Sequence, residues 1–188
     1  MTPIKVTIIP ICPQTSVRST QGDRWMFAVS EEYIKGYDQK RIETHGRPGR
    51  NLTRKRQLDR YKKYKEEISA WALQHNFEMP KGYFAVWFFI PFPKSWRKPK
   101  CASMLYKPHT STPDWDNLVK GLFDSIMPRR NRINGQTGAD DRQIHCGAPF
   151  KIWCPPGEEK IIILEYDKDD YLSSFPLPEY CLISNSKQ

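Results

Sequence analysis

The feature that most constrains the fold is the run Gly82 to Phe92 (GYFAVWFFIPF). Its aromatic and β-branched residues lie too close together for one face of an exposed helix, and Gly82 and Pro91 bound it. It reads as a strand buried on both faces, and such a strand needs neighbours on both sides. Two further strands are legible. Residues 4–11 (IKVTIIPI) alternate and are β-branched until Pro10 and Pro13, and residues 159–166 (EKIIILEY) form the last clear apolar run. Between the first two strands, Leu58, Tyr61, Lys65, Ile68 and Ala72 fall three or four apart over 54–76, with Trp71 adjoining, which predicts an amphipathic helix with a basic outer face that ends near Asn76. The fold class that follows is α/β (α+β): one domain with a small mixed sheet of about four strands and two main helices packed against it.

Other stretches are less regular. Residues 13–51 mix Gly, Ser, Thr, Arg and Lys with scattered aromatics and no sustained period, and read as a long irregular segment carrying a short hairpin or helix. Residues 93–100 form a Lys/Pro/Trp-rich turn, and 168–188 a peripheral tail.

The chain has 188 residues, enough for one domain with a substantial core. Thirty Lys and Arg against 21 Asp and Glu leave a formal charge of +9, which favours a polyanionic partner: nucleic acid or an anionic surface. No apolar run approaches the roughly 18 residues of a membrane span, and the N-terminal residues lack a secretory pattern, so a cytoplasmic protein is expected. Five cysteines without a Cys-x-x-Cys pair argue against a zinc site or a disulfide framework.

The chemistry concentrates in Pro113–Met127 (PDWDNLVKGLFDSIM). Leu118, Val119, Leu122, Phe123 and Ile126 make an apolar stripe at helical spacing, while Asp116, Lys120 and Asp124 recur every fourth residue on another face. Asp116 stands where an N-cap belongs, and an extended chain before it would point Asp114 and Asp116 to one side. Two converging carboxylates raise a pKa or recruit a cation, and Mg²⁺, hard and content with one or two carboxylates plus waters and phosphate oxygens, suits them. The later Asp140-Asp141 pair follows the loop PRRNRINGQTGA, which can return it to the helix start. A metal there can activate water and neutralise a phosphodiester, with Lys120 adding positive charge. The same residues also read as a helix cap, a ladder of four-apart ion pairs and turn residues, and on composition alone these structural uses are the better reading.

The string PDWDNLVK, then Phe123-Asp124, then Asp140-Asp141-Arg142-Gln143-Ile144 after a loop, closely resembles the signature of the RusA family of endodeoxyribonucleases. The resemblance is strong over 107–165 and extends in element order over 4–92. It implies a RusA-like nuclease domain over 1–167, with 13–51 and the loop 128–139 as additions to the family pattern. It implies a magnesium-dependent enzyme, with Mn²⁺ as a possible substitute, that acts as a homodimer on four-way DNA junctions in recombination and repair. By motif position, Asp114, Asp116 and Asp141 would hold the metal and Lys120 would complete the catalytic set. Lys151 matches a family lysine and is a candidate for DNA contact. Arg54, Lys55, Arg56, Arg129, Arg130 and Arg132 are candidates for tracking phosphates, which would make binding salt-dependent. A prokaryotic or phage origin fits the same family. A junction-binding protein that does not cut, and a nuclease for flaps or other branched DNA, are the competing readings.

Overall fold

The structure, a computed structural model, describes residues 2–17, 20–46, 51–127 and 146–170. In chain order these form β1 (Lys5–Ile9), a 3-10 helix (Gln21–Phe27), α1 (Glu31–His45), α2 (Asn51–Gln74), β2 (Tyr83–Pro91), α3 (Lys98–Met104), α4 (Trp115–Ile126), β3 (Cys146–Cys154) and β4 (Lys160–Tyr166). The class is the expected mixed α/β. The described residues gather into two compact units that alternate along the chain: one draws on Met1–Pro13, Glu78–Thr110 and Met127–Gln188, the other on Gln14–Phe77 and Ser111–Ile126.

The first unit holds a four-stranded sheet in the order β1-β4-β2-β3. As the residue run predicts, β2 is an inner strand, antiparallel to β4 and parallel to β3. The parallel pair needs a long connection, and more than fifty residues separate the end of β2 from the start of β3. Pro149 is tolerated in β3 because that strand closes the sheet on its side. Strand periodicity sorts the side chains. Phe84, Val86, Phe88 and Ile90 of β2, Ile161 and Ile163 of β4 and Ile9 of β1 share the buried face. Each such side chain contributes roughly 1.5–3 kcal/mol by leaving water. The opposite face is apolar too, with Ala85 buried near its middle and Val6, Ile8 and Phe150 exposed on the two edge strands. Ile8, Ile162, Trp87 and Phe150 stand in one cross-strand row, and Val6, Leu164, Ala85 and Ala148 in the next.

The second unit is helical. The apolar spacing of α2 buries Leu58, Tyr61, Tyr64, Ile68 and Ala72, and α2 packs on α4 through its buried Leu118, Gly121, Leu122 and Ser125. The Ser69 hydroxyl donates to the Ser125 carbonyl at 2.6 Å across this contact. The helix starts at Asn51, three residues before the expected start, because Asp38 of α1 accepts from the Leu52 backbone N–H (3.1 Å) and from Asn51 Nδ2 (2.8 Å). That carboxylate does from a distance what an N-cap does locally. The helix stops as Asn76 suggests. Asn76 takes φ 47°, Phe77 N–H donates to the Ala72 carbonyl and Asn76 N–H to that of Leu73, while the Phe77 ring packs edge-on against Trp71 at 5.6 Å. This is a left-handed C-terminal cap with its hydrophobic contact.

Residues 13–51 are where the sequence reading falls short. Most of the described part is helix, with Met26, Ile34 and Leu58 at the centre of a small core and Val17, Val29 and Leu52 around it. Ser30 caps α1 by accepting from Tyr33 N–H at 3.2 Å, and Gly46 ends it at φ 63°. Both signals stand in the sequence. The apolar period does not, because Ile34 and Asp38 are the buried residues of α1. The Lys/Pro/Trp-rich turn likewise leads directly into α3.

Candidate active site

The Leu118 N–H donates to the Asp114 carbonyl at 3.3 Å, so α4 takes its first helical bond from Asp114. This corrects the expected boundary. Asp114, not Asp116, holds the N-cap position, and Asp116 lies inside the first turn. The two-residue alternation of an extended chain therefore does not apply between them. The reason is local: Pro113 disfavours helix at Thr112 only, and a carboxylate is favoured equally at the cap and in the first turn, where the helix dipole is positive. Both aspartates are exposed at the same helix end, and so is Trp115 between them, at 56 %. Lys120, one helical turn beyond Asp116, is also exposed.

Two contacts besides the Ser69–Ser125 bond fix the helix that carries these groups. Ser16 donates from its backbone N–H to the Asn117 carbonyl (2.9 Å) and from its hydroxyl to Asn117 Oδ1 (3.2 Å). The segment 14–16 thus lies directly on α4, where Gly121 makes room: a Cβ there would stand 2.8 Å from the Gln14 carbonyl oxygen and 3.2 Å from the Ser16 nitrogen. Gly121→Ala tests the fit. In an open helix the change would add up to about 1 kcal/mol of stability, but here backbone must move, and a net loss of about 1–2 kcal/mol is expected in urea unfolding. A stabilised protein would show that the strand of chain at 14–16 is not held as described.

The second contact is Tyr61 of α2, whose hydroxyl donates to Asp124 Oδ2 at 3.4 Å. Burial first, and then the Asp124 charge, push the Tyr61 hydroxyl well above its usual range, so it stays a donor. Asp124 is thereby tied to α2. Among the described residues no ion pair includes Lys120, and the ladder Asp116–Lys120–Asp124 is not the arrangement found. Neither contact has a sequence signal, because each joins residues far apart in the chain. Trp115 has one: an aromatic residue between two aspartates at a helix start has no place on the apolar stripe.

The basic candidates divide. Arg54 forms a close pair with Asp23 (2.8 Å), a carboxylate 6 % exposed that the guanidinium holds well below the usual range, helped by the Thr20 backbone N–H. Lys55 is buried, donating to the Met26 carbonyl (3.1 Å) and pairing with Asp59 (3.0 Å). Arg56 grips Glu31 with two nitrogens. In the structure these three charges tie α2 to the 3-10 helix and to α1. Further along α2, Lys62 and Lys63 lie 3.8 and 3.5 Å from Glu66 and Glu67. Lys151 sits on β3, half-buried, its carbonyl accepting from the His109 N–H at 3.0 Å. Asp141, with Asp140, Arg129, Arg130 and Arg132, lies outside the described residues.

Among the described residues no three His, Cys, Asp or Glu side chains form a metal-holding group. The donors at the start of α4 nonetheless suit a hard cation. Asp114 and Asp116 offer only oxygen, both face solvent, and a magnesium ion asks no more of a protein than one or two carboxylates.

A mixed sheet in one unit, and in the other a helix that opens on two exposed carboxylates with a lysine one turn on, define a small α/β protein with an acidic helix start. The family model for the endodeoxyribonuclease RusA matches residues 35–154, more than half of the chain, and the protein belongs to that family. The match starts inside α1 and ends with the last residue of β3, so it takes in part of the 13–51 stretch that reads from sequence as an addition to the family pattern. No curated protein and no solved structure matches the chain. Among the described residues no helix is long and apolar enough to cross a membrane.

Proposed function

We propose that this protein is a magnesium-dependent endonuclease that resolves four-way DNA junctions as a homodimer. The observation that carries the reading is the start of α4: Asp114 and Asp116 exposed at a helix N-terminus with Lys120 one turn on, in a chain of the RusA family. In this reading Asp114 and Asp116 hold the cation together with Asp141. Bound magnesium supplies neutralisation of phosphodiester charge and a lowered pKa for water. Lys120 places a second positive charge about 6 Å along the helix axis from Asp116, where charge builds on the phosphate oxygens in the transition state. Tyr61 and Ser16 orient this helix by holding Asp124 and Asn117. The exposed Trp115 ring can stack on a base that the junction leaves unpaired. Lys151, Arg129, Arg130 and Arg132 are the basic residues assigned to phosphate.

The test is incubation of the wild-type protein with labelled four-way, Y-shaped and linear DNA, with and without Mg²⁺, and with Mn²⁺ in its place. Paired, magnesium-dependent cuts in the four-way substrate are expected. Preferential cutting of the Y form would make the enzyme a flap nuclease, and tight binding without cutting in any metal would make it an architectural protein.

A further inference from the structure

We infer that a pocket beside α3 takes a single unpaired nucleobase, with the lysines on its rim holding the phosphates on either side. This adds a subsite to the proposed function, and it rests on that reading only in so far as the chain meets branched DNA. The pocket lies wholly within the sheet unit, between α3 and the segments that follow β2 and β3. Phe92, Trp96, Cys101, Leu105, Pro155 and Pro156 line it. Its volume is about 430 Å³, inside the roughly 300–1,000 Å³ of small-ligand sites. Backbone hydrogen bonds hold its walls. Phe92 N–H donates to the Cys154 carbonyl (3.0 Å), Tyr106 N–H to that of Trp153 (3.1 Å) and Trp153 N–H to that of Lys107 (3.0 Å), which straps both ends of the 92–107 segment to β3. The pocket is therefore formed before any ligand arrives. Trp96 packs on Phe92 at 5.8 Å and on the buried Trp153 at 4.7 Å, while the ammonium of the exposed Lys100 lies over the same indole at 4.1 Å.

Charge and shape together select the occupant. Lys94, Arg97, Lys98 and Lys100 surround Trp96 in the chain, all four are exposed, and no ion pair among the described residues includes any of them. The carboxylates that follow the Pro155-Pro156 wall are already engaged: Glu158 accepts from the Tyr106 hydroxyl at 2.7 Å and Glu159 from the Gly157 N–H at 2.9 Å. An aromatic slot with cations on its rim fits a ligand that is flat and apolar in its middle and anionic at both ends. One nucleotide of a single strand is such a ligand, because its base stacks on an aromatic ring while its flanking phosphates attract lysine. The cations alone would suit any polyanion, and the Trp and Pro walls alone a proline-rich peptide. Both occur together here, in a chain of an endodeoxyribonuclease family, and that combination favours a base. A cation over a ring is weakly held at an exposed site, so an incoming base can replace the Lys100 ammonium on the indole and leave it to the phosphate. DNA with an unpaired base then gains a contact that a continuous duplex cannot supply, and selection of branched DNA becomes a property of binding as well as of cutting.

The experiment is a binding titration of the full chain in EDTA with a labelled oligothymidylate, and with a strand of the same length made of abasic sites, which keeps the phosphates and removes the bases. The wild type is expected to bind the first about 5- to 150-fold more tightly, the range for stacking one base on an aromatic side chain. Ala102→Phe, at an exposed position on the pocket wall, puts a ring into the cavity. It is expected to lower that preference at least about fivefold, with an unchanged circular dichroism spectrum and unchanged affinity for the abasic strand. Lys94→Ala, on the rim, should weaken both strands alike. Should Ala102→Phe fail to fold, photocrosslinking of an iodouracil-substituted strand to the wild type reads the same contact, with Trp96 or Phe92 labelled. A wild type without preference for bases, a folded Ala102→Phe whose preference is unchanged, or crosslinks that miss both rings overturn the assignment. So does a labelled proline-rich peptide that Ala102→Phe no longer binds while oligothymidylate stays bound, because the pocket is then a peptide site. Binding is read without cutting, so failure of the nuclease reading leaves this result standing, and an enzyme that cuts junctions while Ala102→Phe binds as the wild type does loses the pocket alone.

Discussion

Asp116→Asn is expected to abolish cleavage of a four-way junction in magnesium, by at least about 10³-fold, while binding of the same junction in EDTA stays nearly unchanged. The size follows from the several kcal/mol of transition-state charge stabilisation that a catalytic cation supplies, at 1.4 kcal/mol per tenfold in rate. The two halves of the result separate chemistry from structure. Asparagine has the shape of aspartate and tolerates the first turn of a helix, and Asp116 is exposed in any case, so neither folding nor the basic surface is disturbed. What disappears is one anionic oxygen donor. Cleavage that survives the change would remove Asp116 from the metal site and return it to the favourable but ordinary role of an acidic residue near a helix N-terminus.

The second large effect is expected from Lys120→Ala: a rate lowered by about 10²–10³-fold, as for other fixed positive or hydrogen-bonding groups aimed at developing charge. Its melting temperature should not move. The side chain is exposed, and no ion pair among the described residues includes it, so its removal breaks nothing that holds α4 in place. Lys120→Arg, which keeps the charge but changes its shape, should recover part of the rate. An unchanged rate in the alanine variant would make Lys120 a solvated surface residue.

How much of this was legible beforehand differs from element to element. The strands at β2 and β4 were readable because burial on one or both faces leaves dense apolar runs, and α4 because Leu118 and Leu122, both fully buried, stand at helical spacing. The start of α4 was misread by two residues, since aspartates at 114 and 116 are both good helix openers and the sequence holds no feature that ranks them. Helix α1 escaped because the stripe that would reveal it has little apolar content, although its caps at Ser30 and Gly46 were there to read. The role of Arg54, Lys55 and Arg56 was read from charge alone. Charge shows on the sequence, whereas the partners Asp23 and Glu31 lie more than twenty residues away, and only folding brings them together. The family signature did for Asp114, Asp116 and Lys120 what spacing could not: it put a cation-binding use ahead of a capping one. The same signature chose Asp141 over Asp140, and both lie outside the described residues.

The alternation of the two units along the chain has a consequence for anyone wishing to shorten this protein. The chain passes from one unit to the other at 13–14, 77–78, 110–111 and 126–127, so neither is a continuous stretch that a pair of primers could isolate. Starting at Gln14 removes β1 from the edge of the sheet, and stopping at Ile126 removes β3 and β4. A gene fragment ending before the acidic helix therefore leaves both units incomplete, and one ending after it completes the helical unit but leaves the sheet with only β1 and β2. The sheet unit, with pieces at both ends of the chain, therefore needs the whole span from Met1 onward past β4, whereas the helical unit lies within 14–126.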